Sequence, residues 1–190
     1  MPERTDPAAS PVLEAANERR SCSKVTDLAP TRAELLPLVA AAGRVADHGA
    51  LRPWRLLELR GEARERLGAA LVEASAGEDD AALKLAGKPL RAPLLIAVVA
   101  ARRVSSKVAD WEQDAVASGV AHLLTLLLHE AGWGVMWRTG PLVRATAVRT
   151  MHDLSENEEL LGWLYVGGMP PGAKTNARQS IRSEEFLTAL

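Results

Sequence analysis

Pro93-Leu94-Leu95-Ile96-Ala97-Val98-Val99-Ala100 is an unbroken apolar run of strand length. Having no polar alternation, it describes a strand covered on both faces. Ten residues further on, Asp110 to Ala131 carries the longest helical pattern in the chain and the most apolar one. Val120, Leu123, Leu124, Leu127 and Leu128 outnumber its charges, which makes it the central buried helix. Gly132 follows as a suitable C′ residue to end it. A buried strand beside a buried helix is the nucleus from which the remaining chain is read.

Downstream, Trp133 to Trp137 reads as a strand, Ala145 to Leu154 as a helix and Leu160 to Val166 as a second buried strand. After Gly167-Gly168 the chain turns to Pro, Gly and basic residues, the composition of an extended C-terminal arm, with an apolar tip at Phe186-Leu187. Upstream, two helices are expected over Glu62 to Ala74 and Asp79 to Lys88, and a strand over Trp54 to Leu59. Thr31 with Glu34 three residues later is a capping box opening a helix that buries Leu35, Leu38, Val39 and Ala42 and breaks near Gly43. Ser21 to Pro30 is loop-like, and Val12 to Arg20 reads as a short helix ending in Arg19-Arg20. Residues 1–11, with three prolines, form a flexible tail. No repeat or long linker divides the chain, so residues 12–190 are expected to form a single α+β domain with about four strands, its arm starting at about 168.

The chain has 190 residues and a formal charge of −1. That length suffices to bury roughly 70% of the unfolded surface without staples. One cysteine, Cys22, excludes an internal disulfide framework and a Cys-rich metal site. His48, His122, His129 and His152 do not form a ligand cluster, so no metal is expected. The balanced charge argues against nucleic acid as a partner. Met-Pro-Glu-Arg-Thr-Asp-Pro lacks the order of a signal peptide, and no uncharged apolar run reaches the about 20 residues of a membrane span. A cytoplasmic protein without a membrane partner is the expectation. Gly-x-Ser-x-Gly, His-Glu-x-x-His and phosphate-loop motifs are absent. Gly132-Trp133-Gly134-Val135-Met136-Trp137 begins like a dinucleotide fingerprint, but Trp137 stands where the third glycine belongs. It also joins a helix to a strand, the reverse of the order that fingerprint requires.

Three cationic clusters remain. Arg19-Arg20-Ser21-Cys22-Ser23-Lys24 combines guanidinium forks with hydroxyls, which suits a phosphate monoester. A basic pair at a helix C-terminus also complements the helix dipole. Trp137-Arg138-Thr139-Gly140-Pro141 places an Arg and a Thr at a strand end, fit for a polar ligand or for a surface turn. Arg44-Val45-Ala46-Asp47-His48 leads into Arg52-Pro53-Trp54, where Asp47 as a helix stop and His48 as a loop residue are explanation enough without a ligand.

In this order the clusters resemble the FMN-dependent nitroreductase family, in its compact single-domain branch. Arg19-Arg20-Ser21 resembles the family's opening motif, and the 44–54 stretch its "Arg-Ala-Pro-Asp-His … Gln-Pro-Trp" segment. Arg91 to Ile96 is similar to its strand opening, and Lys107 with Trp111-Glu112-Gln113 to the start of its central helix. Gly132 to Gly140 is similar to its "Gly-Phe-Gly-x-x-Trp-Arg-Ser-Gly". The resemblance runs from about residue 12 to about 175. It departs at Ala46, Arg52 and Thr139, where the family has Pro, Gln and Ser.

The resemblance implies a nitroreductase-like α+β fold: a central, mostly antiparallel sheet of about four to five strands surrounded by helices, in an interlocked homodimer with FMN at the subunit interface. Arg19, Arg20 and Ser21 would hold the phosphate and ribityl end, and Arg44 would come from the same loop system. His48 would reach the cofactor of the opposite subunit. Trp137, Arg138 and Thr139 would flank the flavin, and Lys174 would add to the phosphate site. Leu127, Leu128, His129, Glu130, Ala131 and Gly132 correspond to a nicotinamide-nucleotide region. The implied activity is NAD(P)H-driven reduction of FMN and then of nitroaromatic or quinone-type acceptors by a ping-pong mechanism. The alternative is a non-catalytic module that binds or sequesters FMN. For three consecutive residues to meet one ligand, the strand before Thr139 is expected to end or bulge at Trp137.

Overall fold

The apolar run becomes β2 (Leu94–Ala101), and all eight of its residues are buried. The computed structural model describes residues 10–75, 80–172 and 181–190. β2 lies inside a sheet between β1 (Trp54–Leu59) and β4 (Glu158–Gly168), with β3 (Trp133–Arg138) on the far edge. The order β1-β2-β4-β3 is antiparallel throughout.

Alternate side chains of β2 leave for opposite faces, so the sheet needs cover on both. Leu94, Ile96 and Val98 meet Val120, Leu124 and Leu128 of α5 (Asp110–Glu130) and Leu35 of α2 (Arg32–Ala42). Leu95, Ala97 and Val99 meet Leu67 and Leu71 of α3 (Glu62–Ala74) and Val148 of α6 (Thr146–Met151). The fold is therefore α+β in the expected arrangement. The capping box is present too: Thr31 N–H donates to Glu34 Oε2 at 2.7 Å, and Glu34 N–H to Thr31 Oγ1 at 3.3 Å.

Element ends shift where the backbone departs from local pattern. α1 (Pro11–Glu18) starts one residue earlier than expected, because proline is well placed in a first helical turn. It stops at Glu18, and Arg19 is already extended at ψ 130°. α6 ends at Met151 rather than Leu154, with Asp153 in the left-handed region at φ 49°. β4 runs two residues further at each end than expected, because Glu158 finds Ala101 and Gly168 finds Trp133 as ladder partners. α4 (Asp80–Ala86) begins just after Asp79, which lies outside the described residues, as do residues 1–9 and Lys174.

Two buried polar groups tie this frame together. Arg55 on β1 grips Glu158 on β4 with a 2.8 Å Nη2–Oε2 bond and donates to Asp153 O at 3.0 Å. Hydrogen bonding from that guanidinium holds Glu158 below the usual carboxylate range. His152 lies behind α6, and burial is the main cause pushing its imidazole below the ordinary value of 6.5. A depressed histidine is neutral when folded and protonates first in the unfolded chain, so unfolding takes up protons. Its contribution is complete above about pH 6.5 and is lost as pH falls through the folded value, with a slope of at most about 1.4 kcal/mol per unit. Glu158 adds its loss only below about 4.5. Melting temperatures measured from pH 7.5 to 5.0 should therefore fall, and His152→Gln should flatten that decline.

Candidate functional site

β3 is an edge strand, and its two faces do different work. Trp133, Val135 and Trp137 turn toward the α2–α5 cluster. Arg138 turns the other way, with its guanidinium carbon 5.1 Å from the centroid of Tyr165. The strand stays regular through Arg138, which pairs with Trp163. The expected end or bulge at Trp137 is corrected: the irregularity lies in β4. Val98 faces Gly162 and Val99 faces Leu160, so Leu161 is the extra residue. Gly162, at φ 125°, lets β4 make this step directly under Arg138 O.

Arg138 and Thr139 line a cleft of about 440 Å³ together with Lys88, Arg91, Trp163 and Tyr165. Sites for small molecules and cofactors commonly hold about 300–1,000 Å³. Leu142, from the turn after β3, and Leu71 and Leu85, from α3 and α4, add apolar wall. Burial pushes the Tyr165 phenol up, while the nearby Arg138 and Arg91 oppose that shift. The cleft is thus aromatic and apolar with three cations on its rim, a composition suited to a flat, partly anionic ligand.

Residues 22–28 lie flat on the other end of β3 and β4. Cys22 N–H donates to Val135 O at 2.9 Å, Thr26 N–H to Gly168 O at 2.9 Å, and Gly168 N–H to Leu28 O at 2.8 Å. Glycines make this approach feasible. A Cβ on Gly134 would stand 2.9 Å from Val25 Cγ1, and one on its ladder partner Gly167 would stand 2.7 Å from Thr26 O. The glycine of the failed dinucleotide fingerprint is therefore the floor for the segment that follows Arg19-Arg20-Ser21. Arg20 is half-buried and folds back on its own turn, Nη1 donating to Arg19 O at 3.0 Å and to Asn17 O. Arg19 is half-buried as well, and Ser21 is exposed.

The third cluster is a shaped loop. Both carboxylate oxygens of Asp47 accept backbone N–H groups, from Leu51 at 3.2 Å and Arg52 at 2.8 Å. They hold Gly49, Ala50 and Arg52 at φ 75°, 51° and 48°. Left-handed non-glycine residues are costly and tend to gather at functional sites. His48 is exposed, with Nδ1 3.3 Å from Glu112 Oε2 at the start of α5. The Ala109 N–H, and then His48, hold Glu112 below its ordinary value. Arg44 is exposed.

One chain does not unite these clusters. His48 is anchored at Glu112, whereas Trp137 packs edge-on against His122 at 5.0 Å. The ten residues between those positions are about 15 Å of helix. Leu128, in the segment for which the resemblance implies a nicotinamide-nucleotide region, is fully buried, and Leu127 packs on the same core. His129 is half-buried, and Glu130, Ala131 and Gly132 are exposed.

Several donors lack acceptors. Among the described residues Arg20 Nε, Thr26 Oγ1, Arg64 Nε, Trp137 Nε1 and Arg138 Nε are buried without a hydrogen-bond partner. Buried polar groups are paired in the great majority of proteins, so the orphans on Arg20, Trp137 and Arg138, all within the cationic clusters, suit an outside acceptor, while those on Thr26 and Arg64 lie apart from the clusters. Lys88, Trp163 and Tyr165 have no role in the sequence reading, and Arg91 enters it only as the opening of a strand. Their signal was faint: two cations between a helix and a buried strand, and aromatics inside a strand that reads as core. No group of metal-binding side chains occurs among the described residues. No helix is long and apolar enough to cross a membrane.

A family model described as "Nitroreductase family" matches residues 16–168. The protein named "Putative NAD(P)H nitroreductase YdjA" from Escherichia coli (strain K12) is 36% identical over 158 residues, covering 82% of this chain and 86% of that one. A protein named "Putative NAD(P)H nitroreductase" from Haemophilus influenzae is 30% identical over 177 residues, covering 90% and 95%. A nitroreductase-like family protein from Bacillus cereus superposes with a TM-score of 0.82 at 23% identity, covering 99% of each chain. A nitroreductase with bound FMN from Bacteroides fragilis gives 0.76 at 16% identity, covering 96% and 100%. At those identities the two structures speak for the fold.

Proposed function

Because the chain belongs to the nitroreductase family, we propose that it is an FMN-dependent oxidoreductase that draws on NAD(P)H and reduces nitroaromatic or quinone-type acceptors. The observation that carries this reading is Arg138: a half-buried guanidinium whose buried Nε has no partner among the described residues, at the rim of an aromatic cleft that Lys88 and Arg91 also line. FMN offers what those donors lack, a phosphate and a ring edge rich in acceptors. Bound there, it would supply hydride chemistry in two half-reactions, oxidising NAD(P)H and then reducing the acceptor in a ping-pong cycle.

The protein's share is binding and electrostatics. Arg19, Arg20 and Ser21 hold the phosphate and ribityl end, where a charge-assisted bond contributes about 1.5–3 kcal/mol. Arg138 lies against the ring, and its fixed positive charge favours the form that carries extra electrons. Thr139 would flank the ring, with Trp137 reaching the cleft lining from the other face of β3, while Trp163 and Tyr165 would wall off water. Exposed Glu130, Ala131 and Gly132 form the surface offered to NAD(P)H.

The assembly is a homodimer with FMN between subunits. His48 lies about 15 Å of helix from the level of Trp137, so the loop of a second copy must complete the site. Exposed Ile181, Phe186 and Leu187 provide apolar surface that a second subunit would cover.

Purified protein should be yellow, lose its flavin absorbance on anaerobic addition of NADPH or NADH, and regain it with a nitroaromatic or quinone. It should run as a dimer in light scattering. Colourless protein that takes up no added FMN would overturn the reading. Yellow protein inert to both nicotinamides would instead be a flavin-binding module.

A further inference from the structure

Behind the cleft wall lies a polar pair that the proposed chemistry does not use. His152 and Trp163 are each only 5% exposed. Trp163 Nε1–H donates to His152 Nε2 at 3.0 Å, and His152 Nδ1 lies 2.8 Å from Val148 O. The chemistry of the partners assigns the proton. A carbonyl oxygen only accepts, so Nδ1 carries the hydrogen; an indole N–H only donates, so Nε2 must be bare. The imidazole is therefore neutral and used at both nitrogens, one tying it to α6 and the other to β4.

Trp163 in turn stands where the cleft is made. It is the ladder partner of Arg138 in β3, and both line the cleft. It also follows Gly162, where β4 resumes its regular ladder after the bulge. Without the histidine, the indole N–H would be stranded in the core without an acceptor. The rings of His152 and Trp163 are 5.8 Å apart and tilted by 42°, so the bond fixes the indole in angle as well as place.

We propose that His152 is a positioning residue of the cofactor cleft, its bare Nε2 anchoring the Trp163 indole as the wall beside Arg138. This rests on the reading of the cleft as the FMN site. The imidazole meets no ligand itself; it acts through the indole.

Two substitutions separate its two bonds. In His152→Asn the side-chain amide can still donate to Val148 O but is too short to reach Trp163. In His152→Gln the longer amide can place an acceptor near the former Nε2. FMN dissociation constants would be measured by flavin fluorescence on folded protein. In parallel, the Trp163 indole N–H would be followed by 1H–15N NMR, assigned through Trp163→Phe. The expected result is roughly three- to tenfold weaker FMN binding and a shifted indole resonance in His152→Asn, with both close to wild type in His152→Gln. If His152→Asn does not fold, Trp163→Phe, which removes the donor and leaves the histidine, should show a similar loss. Wild-type affinity in His152→Asn or Trp163→Phe, or equal loss in Asn and Gln variants, would overturn the proposal. A wild-type protein that binds no FMN would instead sink the flavin reading on which it stands.

Discussion

Gly162→Ala is expected to cost about 3 kcal/mol or more of folding stability and to strip FMN from whatever protein folds. The backbone at this position has φ 125°, outside the region that side chains with a Cβ adopt comfortably. An added Cβ would also lie 2.4 Å from Arg138 O, 2.8 Å from Trp137 Nε1 and 3.0 Å from Thr139 Cγ2. The first of these is main chain, so relief requires β3 and β4 to part where the cleft is built. A domain of this size has about 5–15 kcal/mol in total, so such a loss is a large share. Gly132→Ala is the control. Its φ is 82°, but nothing lies within 4 Å of a Cβ there, so only the left-handed cost of about 1–2 kcal/mol applies. Urea midpoints of the two variants should differ clearly, with Gly162→Ala the lower; equal midpoints would show that β4 can relax at its bulge.

Arg138→Lys should weaken FMN binding by roughly tenfold or more, although net charge is unchanged. The planar guanidinium lies over Tyr165, and its buried Nε lacks a partner within the described residues. Lysine keeps the positive charge but loses the fork, the stacking plane and that donor. A charge-assisted hydrogen bond is worth about 1.5–3 kcal/mol, or about 10- to 150-fold in a dissociation constant. Fluorescence titration of the apoprotein measures this directly. Equal retention in the lysine variant and wild type would mean that Arg138 is a rim charge and nothing more.

Much of the frame is legible in the sequence. The run at residues 93–100 specified a two-sided strand because a stretch with no polar alternation has no face to offer water. The helix over 110–131 was legible because its leucines recur at helical spacing, and Thr31 with Glu34 marked a helix start through local hydrogen bonding. Boundaries were weaker. The end of α6 depends on the backbone at Asp153, and the length of β4 on pairing with Ala101 and Trp133, residues far away in the chain.

The candidate site divides in the same way. Arg19, Arg20, Ser21, Arg44, His48 and Trp137 to Thr139 stood out because each cluster is contiguous, and their order pointed to a family. Lys88 and Arg91, Trp163 and Tyr165 did not, because the cleft draws them from two separated segments, 88–91 and β4, and no local pattern records that they meet. Gly134 reads as a motif fragment and Gly167 as the end of a strand, whereas in the fold both floor the segment after Ser21. The sequence alone determined the layers and the central helix, as consequences of periodicity, and the family through the resemblance of its ordered motifs. Only the tertiary structure decided that the bulge falls in β4, that Arg138 turns onto Tyr165, and that a neutral His152 holds Trp163. Those depend on which face a strand presents and what lies across the ladder, and a one-residue register step changes both.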